Sequence, residues 1–102
     1  MLYTLVTLFP EWFHSPLSTG LMARAREAGL VDFAFANPRD RATDRHRTVD
    51  DRPYGGGPGM VLMAEPLAAT IRSLDRPGRL LALTPGGRPF NHGMARGLAA
   101  EP

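Results

Sequence analysis

The chain has 102 residues, 43% of them hydrophobic, a net charge of +2 and no cysteine. That length allows one domain at most, and the hydrophobic content argues against wholesale disorder. The missing cysteine excludes disulfides, thiolate metal sites and a cysteine nucleophile, which fits a reducing, cytoplasmic setting.

No stretch approaches the ~18 consecutive apolar residues of a membrane span. The N-terminus lacks the basic start of a signal peptide, so no membrane partner is expected. All 12 basic residues are arginine. Enrichment in Arg, Ala, Gly and Pro together suggests a GC-rich coding sequence, whereas the functional reading is that arginine forks suit phosphates and bases. The first accounts for the overall bias; the clustering of arginines in one segment needs a local explanation.

Tyr3–Phe9 is rich in β-branched, aromatic and leucine side chains and stops at Pro10, which predicts a short buried strand. Pro10–Phe13 suits one helical turn. Ser15-Pro16 resembles an N-cap followed by proline at the first helical position. Leu17, Leu21, Met22, Ala25 and Ala28 continue at helical spacing, Gly20 interrupts the pattern, and Gly29 stands where a C′ glycine belongs. Leu30–Ala36 reads as a second strand, ended by Asn37-Pro38.

From Arg39 to Gly59 almost nothing is apolar, which predicts a long exposed loop of the kind that is functional or disordered. Met60–Met63 anchors its far end. Glu65-Pro66 opens a helix with Leu67, Ile71 and Leu74 on one stripe, Arg76-Pro77-Gly78 forms a turn, and Leu80–Leu83 makes a third strand. Thr84–Gly87 is a tight loop, and Asn91 caps a last helix from Met94 to Ala100. Alternating strands and helices imply an α/β layer with a mostly parallel sheet.

Two stretches carry chemistry. In Asp44–Met60, arginines alternate with acids and a histidine, and then four glycines fill five positions around Pro58. Such glycines let a backbone approach a ligand and expose its N–H groups. Neighbouring arginines suit phosphates, and carboxylates can accept from guanine N1–H and N2–H or from cytosine N4–H. A solvated loop of balanced charge is the alternative on composition. The P-loop pattern fails for want of lysine, and GxGxxG fails because no strand precedes the glycines. Asp44, His46, Asp50 and Asp51 suggest an oxygen-rich metal site, but Arg45, Arg47 and Arg52 are interleaved and oppose a cation, so no metal is expected. His14 and His92 stand alone and read as surface or packing residues. The second stretch, Leu80–Arg88, runs an expected strand into a Pro-Gly turn, the place where open α/β sheets bind ligands; an ordinary turn is the alternative.

The string from Asp44 to Leu67, with Leu8–Phe13, Asn37–Asp40 and Leu83–Arg88 in matching order, resembles the TrmD-type tRNA (guanine-N1)-methyltransferases over essentially the whole chain. The resemblance implies an α/β domain with a deep trefoil knot (a SPOUT-type fold) that works as a homodimer. It implies methyl transfer from S-adenosylmethionine to N1 of the guanosine immediately 3′ of the tRNA anticodon. Thr84, Pro85 and Gly86 would then form one wall of the cofactor pocket. Asp50, Gly55, Gly56, Gly57, Pro58 and Gly59 would lie near the target guanosine. On their chemistry, apart from the resemblance, Arg45, Arg47 and Arg52 fit a supporting role at the RNA backbone.

Family members are more than twice as long. By the same resemblance, residues 1–102 are the N-terminal portion of the methyltransferase domain, without the knot-threading segment, the C-terminal RNA-binding domain or the general base. No catalytic residue is therefore expected in this chain. A non-catalytic RNA-binding module and a metal-dependent phosphoesterase are the rival classes.

Overall fold

Two apolar runs make the pair of strands on which the first third of the chain is arranged. β1 (Leu2–Val6) and β2 (Asp32–Ala36) run parallel, with Leu2 opposite Asp32 and Val6 opposite Ala36. The computed structural model describes residues 1–75 and 78–101. The ladder is extended at both ends, from the Asp32 amide to the Met1 carbonyl (2.9 Å) and from the Thr7 amide to the Ala36 carbonyl (3.0 Å). Tyr3 stacks on its cross-strand partner Phe33 at 5.5 Å, an aromatic pair of the kind that stabilises a two-stranded ladder.

The crossover between these strands departs from the expected single helix. A 3-10 turn (Pro10–Phe13) leads straight into α1 (His14–Leu17), and α2 (Gly20–Glu27) follows after Ser18-Thr19. Ser15 is therefore not an N-cap. Phe13 already has helical angles, so no extended residue remains to cap at Ser15. The Ser15 carbonyl accepts instead from the Ser18 amide and the Thr19 hydroxyl, both at 3.1 Å. Gly20, at φ +60, turns the chain between the two helices.

The far end of α2 matches expectation. Gly29 is left-handed at φ +71, its amide reaches Arg26, and the Leu30 amide reaches Ala25. That pair of bonds is a Schellman stop.

Beyond β2, Asn37 caps a second 3-10 turn (Pro38–Arg41), its side chain accepting from the Arg39 amide at 3.0 Å. The expected loop contains a small hairpin: β3 (Asp50–Asp51) pairs antiparallel with β4 (Val61–Leu62). Its base is closed by a 2.7 Å bond from the Met63 amide to the Val49 carbonyl. α3 (Ala64–Arg72) packs against the Pro38–Arg41 turn. α4 (His92–Ala99) starts at Asn91, which accepts from the Met94 amide at 2.9 Å.

Two further expectations fail. Leu80–Leu83 forms no strand; Leu80, Leu81 and Leu83 are 66%, 57% and 100% exposed. A strand exists only through a ladder, and among the described residues β1 and β2 pair with each other alone. Nor is β1 buried, since Leu2 and Tyr3 are half exposed. The expected turn at Arg76-Pro77-Gly78 has its first two residues outside the described ones.

Among the described residues only Pro38, Val49, Pro66 and Thr70 are buried. The packed centre therefore lies between the second 3-10 turn, the hairpin base and α3, not under the parallel sheet. The accessible surface is 8601 Å², where a compact monomer of this mass presents roughly 5,700 Å². The radius of gyration is 16.0 Å, against ~13 Å for a compact domain of this length. Much apolar surface is left uncovered. No helix among the described residues is long and apolar enough to cross a membrane.

Candidate functional site

The glycine-rich segment is the tip of the β3–β4 hairpin. Asp50 stands on β3, paired with Leu62, and Asp51 is paired with Val61, so both acids are fixed at the tip's base while staying exposed. The Gly56 amide closes a turn on the Pro53 carbonyl at 3.1 Å. Gly55, third in that turn, has φ +82, as a type II turn requires. Gly56, Gly57 and Gly59 follow at φ +87, +112 and +85.

A Cβ at any of these four glycines would meet nothing within 4 Å. Glycine is needed here for backbone angles that L side chains avoid, not for lack of room. The result is an exposed, side-chain-free ribbon with Pro58 within it and Tyr54 fully in solvent beside it. Another molecule can come close to such a backbone.

The segment before the hairpin is held by side chains. Asp44 accepts from the Thr48 hydroxyl and from the Thr48 amide (2.7 Å). The Thr48 hydroxyl, and after it the Thr48 amide, hold the Asp44 carboxyl below the usual carboxylate range. Arg47 has left-handed backbone at φ +52. Its Nε donates to the Arg39 carbonyl at 3.1 Å, and its Nη2 pairs with Asp40. In return, Arg39 Nη1 donates to the Arg47 carbonyl at 3.4 Å.

Arg45 and Arg52 are exposed, and among the described residues their side chains enter no hydrogen bond or ion pair. Asp44, His46, Asp50 and Asp51 do not converge. Among the described residues no three acidic or histidine side chains form a group able to hold a metal.

Thr84, Pro85 and Gly86 form a separate exposed turn. The Gly87 amide bonds the Thr84 carbonyl at 3.0 Å, and the Gly86 amide approaches the Thr84 hydroxyl at 3.4 Å. A Cβ on Gly87 would lie 3.1 Å from the Thr84 carbonyl oxygen, while one on Gly86 would stand in open space. The turn thus presents bare backbone and one hydroxyl, which suits one wall of a cofactor site but encloses nothing. No hydrogen bond among the described residues joins it to the Asp44–Gly59 segment. Two open concavities, of about 620 and 310 Å³, lie along α1, α2 and β2, and neither segment lines them.

Residue patterns alone did not single out Asp40, Thr48 or Val49. Asp44 and Thr48 stand four apart with polar side chains, the spacing of a local capping pair. Val49, 1% exposed, is a lone β-branched residue in a polar run. Both were visible signals. The Arg39–Asp40–Arg47 network had none, because it joins residues across a turn.

A family model described as tRNA (Guanine-1)-methyltransferase TrmD matches residues 1–102. Curated proteins named tRNA (guanine-N(1)-)-methyltransferase are similar: that of Oleidesulfovibrio alaskensis is 66% identical over 97% of this chain, and that of Gloeobacter violaceus 54% identical over 95%. The chain spans only 23% and 44% of those two proteins' lengths. The crystal structure of tRNA (m1G37) methyltransferase from Aquifex aeolicus superposes with a TM-score of 0.63 at 30% identity, over 71% of this chain and 32% of that one.

Proposed function

This chain belongs to the TrmD family of tRNA (guanine-1)-methyltransferases, and from that premise we propose that it is the N-terminal portion of an enzyme methylating N1 of the guanosine immediately 3′ of the tRNA anticodon. The observation that carries the proposal is the family match over all 102 residues, which includes the hairpin ribbon Gly55–Gly59.

The methyl donor is S-adenosylmethionine, which supplies an electrophilic methyl on a sulfonium. The Thr84–Gly86 turn offers backbone and a hydroxyl for one side of its pocket. Asp50 and the Gly55–Gly59 ribbon lie at the guanosine, where a side-chain-free backbone admits a base closely and the Asp50 carboxylate can accept from a base N–H. Arg45 and Arg52 neutralise phosphates. Methylation at N1 requires loss of the N1 proton while the nucleophile is held in line, so rate depends on positioning and one base. Residues 1–102 contribute positioning; the base, the remaining cofactor loops and the knot-threading segment belong to the rest of the enzyme, with its RNA-binding domain. A cytoplasmic homodimer is the working form.

The test is methyl transfer from labelled S-adenosylmethionine to a tRNA transcript by a full-length methyltransferase carrying this segment. Incorporation should vanish when the guanosine after the anticodon is replaced by adenosine. Binding of tRNA without any affinity for S-adenosylmethionine would favour a non-catalytic RNA-binding module, to which the exposed Arg45 and Arg52 would also be suited.

A further inference from the structure

The geometry points to a division of labour among the loop arginines in which Arg47 is a positioning residue, acting with Asp40 and Arg39 as a staple, while Arg45 and Arg52 meet the RNA. This rests on the reading of the hairpin as the RNA side of the site.

Three features separate Arg47 from its neighbours. Its guanidinium folds back on the chain, with Nε on the Arg39 carbonyl and Nη2 on Asp40, although it stays exposed. Its own carbonyl takes a bond back from Arg39. Its backbone is left-handed, the only such non-glycine among the described residues. A left-handed arginine persists only where surrounding bonds over-determine it. Here the reciprocal bonds do so, together with the Arg47 amide on the Asp44 carbonyl at 3.1 Å.

The anchor is firm on the other side. Arg39 and Asp40 lie on the 3-10 turn that packs against α3, beside buried Pro38. From Arg47 the chain passes through Thr48 and fully buried Val49 directly into Asp50 of β3. The staple therefore sets where the hairpin starts, and with it the placement of Asp50 and the glycine ribbon. The Arg47–Asp40 pair is more than half exposed on both sides, so its charge contributes little by itself. Its effect is geometric: two directional donors on one planar fork, which a lysine cannot supply.

The experiment compares R45A, R47A, R47K, D40A and D40N in a full-length methyltransferase carrying this segment. Readouts are tRNA-transcript affinity as a function of NaCl, kcat and KM for methyl transfer, and thermal midpoint. R45A should lower the slope of log affinity against log salt by about one. R47A and D40A should leave that slope unchanged and lower kcat about five- to tenfold. The double variant R47A/D40A should be no worse than either single one, because the pair acts as a unit. D40N should retain most activity, since an amide oxygen accepts the same bond, and R47K should not rescue. If R47A fails to fold, D40N against D40A and R47K still decide the matter. A slope lowered by about one in R47A and kept in R47K, with D40A at wild-type rates, would overturn the staple and make Arg47 a phosphate contact. Failure of the unsubstituted protein to bind tRNA would instead remove the underlying reading.

Discussion

The segment from Asp44 to Met63, polar as far as Gly59, and the apolar run from Leu80 to Leu83 are ordered in the reverse of what their composition implies. The mostly polar segment holds a hairpin, a left-handed arginine, a bonded Asp44–Thr48 pair and, in Val49, one of only four buried residues among those described. The leucine-rich run has neither a ladder nor a cover, and Leu83 is wholly exposed. Hydrophobicity supplies a reason to be buried, but order requires partners: backbone groups need a ladder, and apolar area needs a facing surface. The polar run finds its partners within a few residues. Those of Leu80–Leu83 are not met within the described residues.

The largest expected effect follows from that contrast. Residues 1–102 alone should show no methyl transfer and no micromolar affinity for S-adenosylmethionine, because a single turn, Thr84–Gly87, gives little affinity without enclosure. They should also self-associate through exposed Leu80, Leu81, Leu83 and Phe90. Calorimetry with the cofactor and sedimentation of the chain check both points; micromolar binding would mean that the cofactor site lies elsewhere.

Next in size is the hairpin tip. In a full-length methyltransferase carrying this segment, Gly57→Val and Gly59→Val should each lower the methylation rate at least about tenfold. At φ +112 and +85 a β-branched residue must rebuild the turn even though space is open. Steady-state rates near wild type in both variants would show that the ribbon's shape is not used.

The Thr84 turn allows a sharper test, because its two glycines differ. Gly87→Ala should disturb the turn itself, with Cβ only 3.1 Å from a carbonyl oxygen. Gly86→Ala meets nothing and has no positive φ, so it should leave the thermal midpoint within about 1 °C, a surface-like effect. If Gly86 lines the cofactor pocket, the same substitution should nevertheless weaken S-adenosylmethionine binding several-fold. Unchanged affinity would place the cofactor away from this turn.

The smallest effect is pH-dependent. The Asp44 carboxyl is held below its ordinary value by Thr48. Its contribution is therefore fully present above the unfolded value, near 3.8, and is lost as pH falls through the lower folded value. The Thr48 amide resonance should stay constant from neutral pH to about pH 4 and move only below it, as carboxylate titration dictates. A shift centred above pH 5 would contradict this bonding. Because Asp44 is exposed, global stability should barely change.

Local chemistry was legible in the sequence wherever its cause was local. The strand end at Asn37-Pro38, the Asn91 cap, the Gly29 stop, the parallel pair of strands and the glycine ribbon each follow from a few adjacent residues, and each forms. The family, too, was readable, because the Asp44–Leu67 string is long and unusual. Three features were decided by tertiary structure alone. Ser15 lost its capping role because a 3-10 turn runs into it. Leu80–Leu83 lacked strand geometry because no edge receives it. Arg47, one of three arginines between Asp44 and Pro53, folded back because Asp40 and the Arg39 carbonyl stand within its reach. A sequence specifies which groups each residue can offer; which of them find a partner depends on segments brought together across the fold.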